Sequence, residues 1–318
     1  MTDRSSQDTA APAAGYRHEL YPYRGREEFL DGTLGFIQEA LDGDEAVVVA
    51  VPHEKVSLLR AELPELPTVR FVDTGSVAHH PGRLIDAWQR WIQEHAADGR
   101  PVRGIGESPW DDARSRAEIQ ELQYHEWLLN KAFADSPAWW LLCPYDTEGL
   151  HADLKTMSRC HPEVRRNGHS QPYDGFDPEA AYPFESLAPP CDPYDELCYG
   201  QGDMAAVRAK IAECARWHGL DATRLRELHV AATEIAANSV QHGGGEGALR
   251  TWADGDRMIC EFHDRGYIAD PLAGRTRPRG AQAGGRGLWL AHQLCDLVEI
   301  RSTPDDGTTV RLHTALRV

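Results

Sequence analysis

The sequence predicts two folds in one chain: an α/β domain with a mostly parallel sheet first, then an α+β sandwich of helices on an antiparallel sheet. Three observations predict it. Over residues 16–154, short apolar runs of strand character alternate with stretches of helical period, the order that builds a parallel sheet with crossover helices. Over 167–203 no period persists, and Pro, Asp, Gly and Tyr dominate, as in an extended linker that docks in part through its aromatics. From 204 onward two helical stretches precede strand pairs joined by tight turns.

In the first part, "AVVVAV" (46–51) is a continuous apolar run suited to a strand covered on both faces. "VRFVD" (69–73) and "WWLLC" (139–143) are further strands, and "VRGIGE" (102–107) a weaker one. Leu84, Trp88, Trp91 and Ile92 mark one helix between them, and Ile119, Leu122, Trp127 and Leu128 another. In the last part a helix over 204–218 stops at Gly219, and Asp221 or Thr223 caps the next one, "LRELHVAATEIAANSVQH". Strands "ALRTWA" and "MICEFHD" flank a turn at 254–256; a Gly/Arg/Pro loop leads to the helix "GLWLAHQLC". Strands "LVEIRST" and "TTVRLHTAL" close the chain around the turn "PDDG". The resulting division is a tail (1–14), a first domain (15–166), a linker (167–203) and a second domain (204–318).

Bulk properties narrow the function. A net charge of −17 argues against a general binder of nucleic-acid backbones, which carry a basic footprint. A hydrophobic content of 41% supports real cores, while no apolar run approaches the roughly 20 residues of a membrane helix. The first residues, "MTDRSSQDTAAPAA", lack the apolar segment of a signal peptide and read as a disordered tail, so a cytoplasmic location is expected. Seven cysteines at irregular spacing make no disulfide framework. Cys160-His161 and Cys191…Cys198 are not in a finger-like arrangement, so spacing argues against zinc.

The chemistry gathers in the last third. Glu234, Asn238 and His242 recur at steps of four and form one polar stripe on a helix, beside Ile235, Ala236 and Val240, which are left for packing. Asp264 and Gly266 end an apolar strand; an aspartate there accepts a hydrogen bond from an exocyclic amine, and a glycine lets a flat ring approach. Gly284, Gly285 and Gly287 open a helix whose first N–H groups are suited to phosphate. "DGTTVRLH" is a turn into a strand. In this order the elements resemble the Bergerat-type (GHKL) ATP-binding fold, and the short loop between them looks most like the anti-sigma-factor serine-kinase branch, over about 204–318. The resemblance implies ATP and Mg²⁺ as cofactors. Asn238 would hold Mg²⁺ through its amide oxygen. Asp264 would take the adenine amine and Gly266 would approach the ring, with Gly285 and Gly287 at the phosphates and Thr309 on the adenine side. Glu234 would be the base that accepts a proton from the attacking hydroxyl or water. His242 supports the helix end, and Arg275, Arg277, Arg279 and Arg286 supply positive charge near the triphosphate or on a solvated lid.

The first part resembles the MEDS sensory domain, a degenerate relative of RecA/KaiC-type ATPases, through "YRHELYPYRGREEFLDGTLGFIQEAL", "GESPW", "YHEWLLNKAF" and "LLCPYD", over about 15–165. A working P-loop needs Gly-x4-Gly-Lys-Ser/Thr after the first buried strand; here "VPHEKVSLL" stands there without either glycine, so no ATP is expected by that route. Glu107 near Trp110, and Asp146 after Tyr145, sit at strand ends and are candidates for a sensory pocket. His125-Glu126 suggests a phosphoacceptor histidine, but no dimerising helical hairpin precedes Met204, and His125 is expected to be an ordinary helix residue. The two resemblances imply a sensor tethered to an Mg·ATP-binding serine/threonine kinase of the anti-sigma type. It would act on a sigma factor or an anti-sigma-factor antagonist and answer to a small-molecule signal, without nucleic acid or membrane, and a homodimer is allowed for. The rivals are a two-component sensor histidine kinase and an ATP-dependent binding module without phosphotransfer.

Overall fold

A computed structural model of the chain describes residues 15–76, 80–95, 99–108, 114–148, 152–180, 182, 186–190, 194–278 and 285–316. The expected tail over 1–14 lies outside these residues, as do Trp110, Cys191, Arg279 and Gly284. The chain forms two compact units, one of residues up to 73 with 92–107 and 130–178, the other of 74–91, 108–129 and 179–318.

The N-terminal elements run β1 (Tyr16–Tyr23), α1 (Gly25–Asp42), β2 (Ala46–Val51), α2 (His53–Glu62), β3 (Val69–Asp73), α3 (Leu84–His95) and β4 (Val102–Gly106). They continue with α4 (Arg116–Ala132), β5 (Trp139–Asp146), α5 (Ala152–Ser158), β6 (Glu163–Arg166) and β7 (His169–Pro172). In the first unit the strands form one sheet of order β3-β2-β4-β5-β1-β6-β7, parallel except for the β6–β7 hairpin. Every residue of β2 is buried; Val47, Val49 and Val51 pack with Phe36 and Ile37 of α1 and Leu59 of α2. β1 is one of the strands that the apolar runs do not predict. Its charges hide it: Glu19 is fully buried and lies 3.6 Å from the guanidinium of Arg165, while Arg17 stacks 3.5 Å over the Trp140 ring.

The second unit holds β8 (Asp195–Gly200), α6 (Met204–His218), α7 (Ala222–His242), β9 (Glu246–Asp254), β10 (Arg257–Asp264), α8 (Arg286–Leu294), β11 (Leu297–Thr303) and β12 (Gly307–Ala315). Its sheet is antiparallel, in the order β11-β12-β10-β9-β8. Gly219, at φ +75°, ends α6, and the Asp221 carboxylate caps α7 by accepting from the N–H groups of Thr223 and Arg224 at 2.7 and 3.1 Å. One face of this sheet, with Cys260, Phe262, Val310 and Leu312, packs against Ile211, Leu228, Ile235 and Ala291 of the three helices. That is a sandwich compatible with an ATPase fold. The other face carries His263, Thr309 and Arg311 and, with Tyr124, Trp127 and Tyr182, lines a cavity of about 640 Å³. β7 and β8 fall in the stretch that reads as linker; β8 adds to the sheet edge through β9. No helix among the described residues is long and apolar enough to cross a membrane.

Candidate nucleotide site

The polar stripe of α7 and the glycine that opens α8 meet. A Cβ on Gly287 would stand 3.0 Å from Glu234 Oε2 and 3.2 Å from Asn238 Nδ2, so a side chain there would crowd both. α8 begins after Gly285, which holds φ +83° and offers no side-chain cap. Among the described residues no side-chain cap is seen at the start of α8, whose first turn lies beside Glu234 and Asn238; an uncapped helix start is what an anion site requires.

α7 dissolves into glycines because β10 passes beneath its end. A Cβ on Gly243 would lie 2.4 Å from the Asp264 carboxyl group. The Asp264 Oδ1 accepts from Gly266 N at 2.7 Å, and a Cβ on Gly266 would strike that oxygen and the His242 carbonyl at 2.9 Å. Gly307, at φ +79°, lets the β11–β12 turn sit against the Asp264 carbonyl. Asp264 is thus walled by glycines, with one carboxylate oxygen engaged by the turn. His242 is exposed and enters this wall through its carbonyl, in keeping with a supporting place at the helix end.

Of the residues expected at the site, the structure brings Glu234, Asn238, Gly285 and Gly287 together at the α7–α8 junction, and Asp264 with Gly266 at the end of β10. It does not bring Thr309 to them. Thr309 lies on the opposite face, where its hydroxyl is 3.1 Å from His263 Nδ1. Thr308 is the threonine on the helix side: its hydroxyl donates to the Gly266 carbonyl at 2.8 Å and lies 2.7 Å from Ser302 Oγ. The signal was in the sequence, since Thr308 alternates in phase with the core residues Val310 and Leu312.

The arginines of the loop divide. Arg275 is buried and ion-paired to Glu121, with Arg301 on the other oxygen of the same carboxylate at 3.1 Å. It is therefore committed to Glu121. Arg277 is exposed, 5.9 Å over the Trp289 ring, and Arg286 is exposed in the first turn of α8. A residue that spacing does not reveal is Arg83, whose guanidinium donates to the carbonyls of His292 (2.6 Å), Gln293 (2.9 Å) and Cys295 (2.9 Å) and so caps the C-terminus of α8. Next to it His80 Nδ1 accepts from Gly82 N at 3.0 Å, which makes its Nε2–H the donor to His292 Nδ1 at 3.2 Å. Both rings are kept neutral: burial lowers both titrations well below 6.5, reinforced for His80 by Arg83 and Arg275.

In the first unit, Pro52 leads directly into α2, where a P-loop would curl. Lys55 in the first turn of α2 is ion-paired to Glu107 and bonded to the Tyr23 hydroxyl, which itself donates to Glu107 at 2.9 Å. Burial raises the Glu107 titration, against the pull of Lys55. Of the two strand-end carboxylates, Glu107 is thus engaged by Lys55 and Tyr23, and Asp146 Oδ1 accepts from Glu148 N at 3.0 Å. His125 is buried in α4, at 2% exposure.

Comparison with known families defines the class. Residues 201–314 match the histidine kinase-like ATPase domain, and the chain carries such a domain there. Residues 17–162 match MEDS, the MEthanogen/methylotroph, DcmR Sensory domain, and the chain carries that domain ahead of it. No curated protein matches the chain.

Proposed function

We propose that the chain is a signalling regulator that binds Mg·ATP at the α7–α8 junction and transfers phosphate to a serine of a partner protein, in the manner of anti-sigma-factor kinases. The observation that carries the nucleotide site is the contact of Gly287 with both Glu234 and Asn238. It sets a carboxylate, an amide and open backbone N–H groups around one space. Mg²⁺, when bound, supplies the charge neutralisation that phosphoryl transfer needs. Asn238 offers the hard oxygen ligand. Asp264 accepts the adenine amine through the oxygen that the Gly266 N–H leaves over, and Thr308, not Thr309, borders the base. Glu234, one turn before Asn238, accepts the proton of the attacking hydroxyl. The burial of His125 in α4 speaks against its use as a phosphoacceptor, and β8, not a helical hairpin, precedes α6 among the described residues.

The MEDS region, in this reading a degenerate RecA/KaiC-like fold, senses a small molecule and governs the ATPase domain in the cytoplasm. The partner is a sigma factor or an anti-sigma-factor antagonist. The test pairs nucleotide titration of the full chain with labelled ATP transfer to candidate antagonist domains and phosphosite mapping. Mg-dependent ATP binding with transfer to serine supports the reading. Binding without transfer to any candidate leaves a nucleotide-gated binding module, and absence of binding ends the proposal.

A further inference from the structure

β1 and β5 are parallel neighbours in register, with His18 opposite Leu141 and Leu20 opposite Cys143, so His18 and Cys143 project from the same face of the sheet. His18 Nε2 lies 3.3 Å from Cys143 Sγ. His161, just past α5, brings its ring to 4.0 Å from that of His18, centroid to centroid. All three side chains are buried, at 1%, 3% and 0% exposure. Each offers a ligand atom, and these atoms lie within 4.8 Å of one another.

The far side of each imidazole is fixed. Asn130 donates its Nδ2 to the Cys160 carbonyl at 2.7 Å, which orients its Oδ1 toward His18 Nδ1 at 3.1 Å. His18 Nδ1 therefore carries the hydrogen, and Nε2 presents its lone pair toward Cys143. His161 Nδ1 faces the carbonyls of Met157 and Ser158 at 3.1 and 3.3 Å; carbonyls only accept, so Nδ1 donates and Nε2 is the ligand atom. Oriented, hydrogen-bonded imidazoles of this kind are how metal-binding histidines are held.

We propose that His18, Cys143 and His161 bind one divalent transition metal ion of the zinc class. A tetrahedral ion with bonds of about 2.0–2.3 Å holds its ligand atoms about 3.5 Å apart, a separation that small side-chain adjustments reach here. Two neutral nitrogens and one thiolate suit a borderline-soft ion and not magnesium or calcium. Binding releases the Cys143 thiol proton to solvent and leaves a sulfur–metal bond. Cys160, the cysteine adjacent in sequence, is not among the ligands. The three ligands come from distant stretches, which is why spacing argued against zinc.

The test is made on the full chain, stripped with chelator and titrated with Co²⁺. The expected result is a saturable one-equivalent signal with a thiolate-to-cobalt charge-transfer band and the visible bands of a tetrahedral ion. The band should vanish in Cys143→Ser and persist in Cys198→Ser, whose cysteine is exposed. Asn130→Ala should weaken affinity by about 10–100-fold. Absence of saturable cobalt binding in the native chain overturns the proposal, as does a band unchanged by Cys143→Ser. If Cys143→Ser does not fold, X-ray absorption of the native cobalt form decides: one sulfur with nitrogen donors supports the site, and two sulfurs or none overturn it.

Discussion

Glu234 and Asn238 share a helix face and a glycine neighbour, and the proposed function gives them separable ends. A general base contributes about 10²–10⁴-fold to turnover and little to ground-state binding. Glu234→Ala should therefore keep ATP affinity within a few-fold while phosphoryl transfer falls by about that factor. Asn238→Ala should remove the Mg-dependence of ATP binding, which calorimetry with and without the ion reads directly. Asp264→Ala should weaken adenine nucleotides and spare Mg-tripolyphosphate; equal loss for both ligands would indicate damage to the glycine wall around it. These residues were legible because four-residue spacing and a strand-end Asp-x-Gly are local patterns. Thr309 was the exception. The two threonines offer no contrast between themselves, and only the phase of Val310 and Leu312 beyond them places Thr308 inward.

At the scale of elements, α8 is held at both ends, by Gly287 against α7 and by Arg83 on its last carbonyls. Charged hydrogen bonds to a helix C-terminus are worth about 1.5–3 kcal/mol each in favourable cases, and they are not additive. Arg83→Ala should cost about 2–3 kcal/mol in all and speed hydrogen exchange of the α8 amides ahead of those of β10. The His80–His292 pair beside it gives the unit a pH response. Both rings titrate lower in the folded chain than when unfolded, so their stabilisation is complete above about pH 6.5 and is lost as the pH falls below it. The slope is about 1.4 kcal/mol per pH unit for each histidine. Urea midpoints should fall between pH 7.5 and 5.5, and His80→Asn, which keeps an acceptor for Gly82 N, should make the drop smaller. Most elements were readable from period and capping, Asp221 and Gly219 among them. β1 was not, because Glu19 is buried and Arg17 half-buried through partners far along the chain, and β8 was not, because a short edge strand among prolines has no period to show.

On the scale of the whole molecule, the unit that carries the proposed nucleotide site is larger than the stretch that matches an ATPase family. It includes 74–91 and 108–129, whose Arg83, Glu118 and Glu121 are joined to His292, Arg257 and Arg275. Glu121→Ala should cost about 3–5 kcal/mol, since it strands the buried Arg275 together with Arg301. A thermal melt followed through a nucleotide-protected signal would show it; no shift would mean that the pair is dispensable. No sequence pattern announces such pairs, because a lone Glu on a helix reads as a solvated face. Arg83 and the carbonyls that it caps are separated by 209 to 212 residues. During synthesis, then, α3 and α4 leave the ribosome well before α8, β11 and β12 exist to receive them. Closure of such long loops is slow and leaves apolar surface waiting. A chain halted before α8 should thus be a substrate for chaperones and proteases, and an early stop near the C-terminus should lower the yield of the entire unit and not merely trim its end.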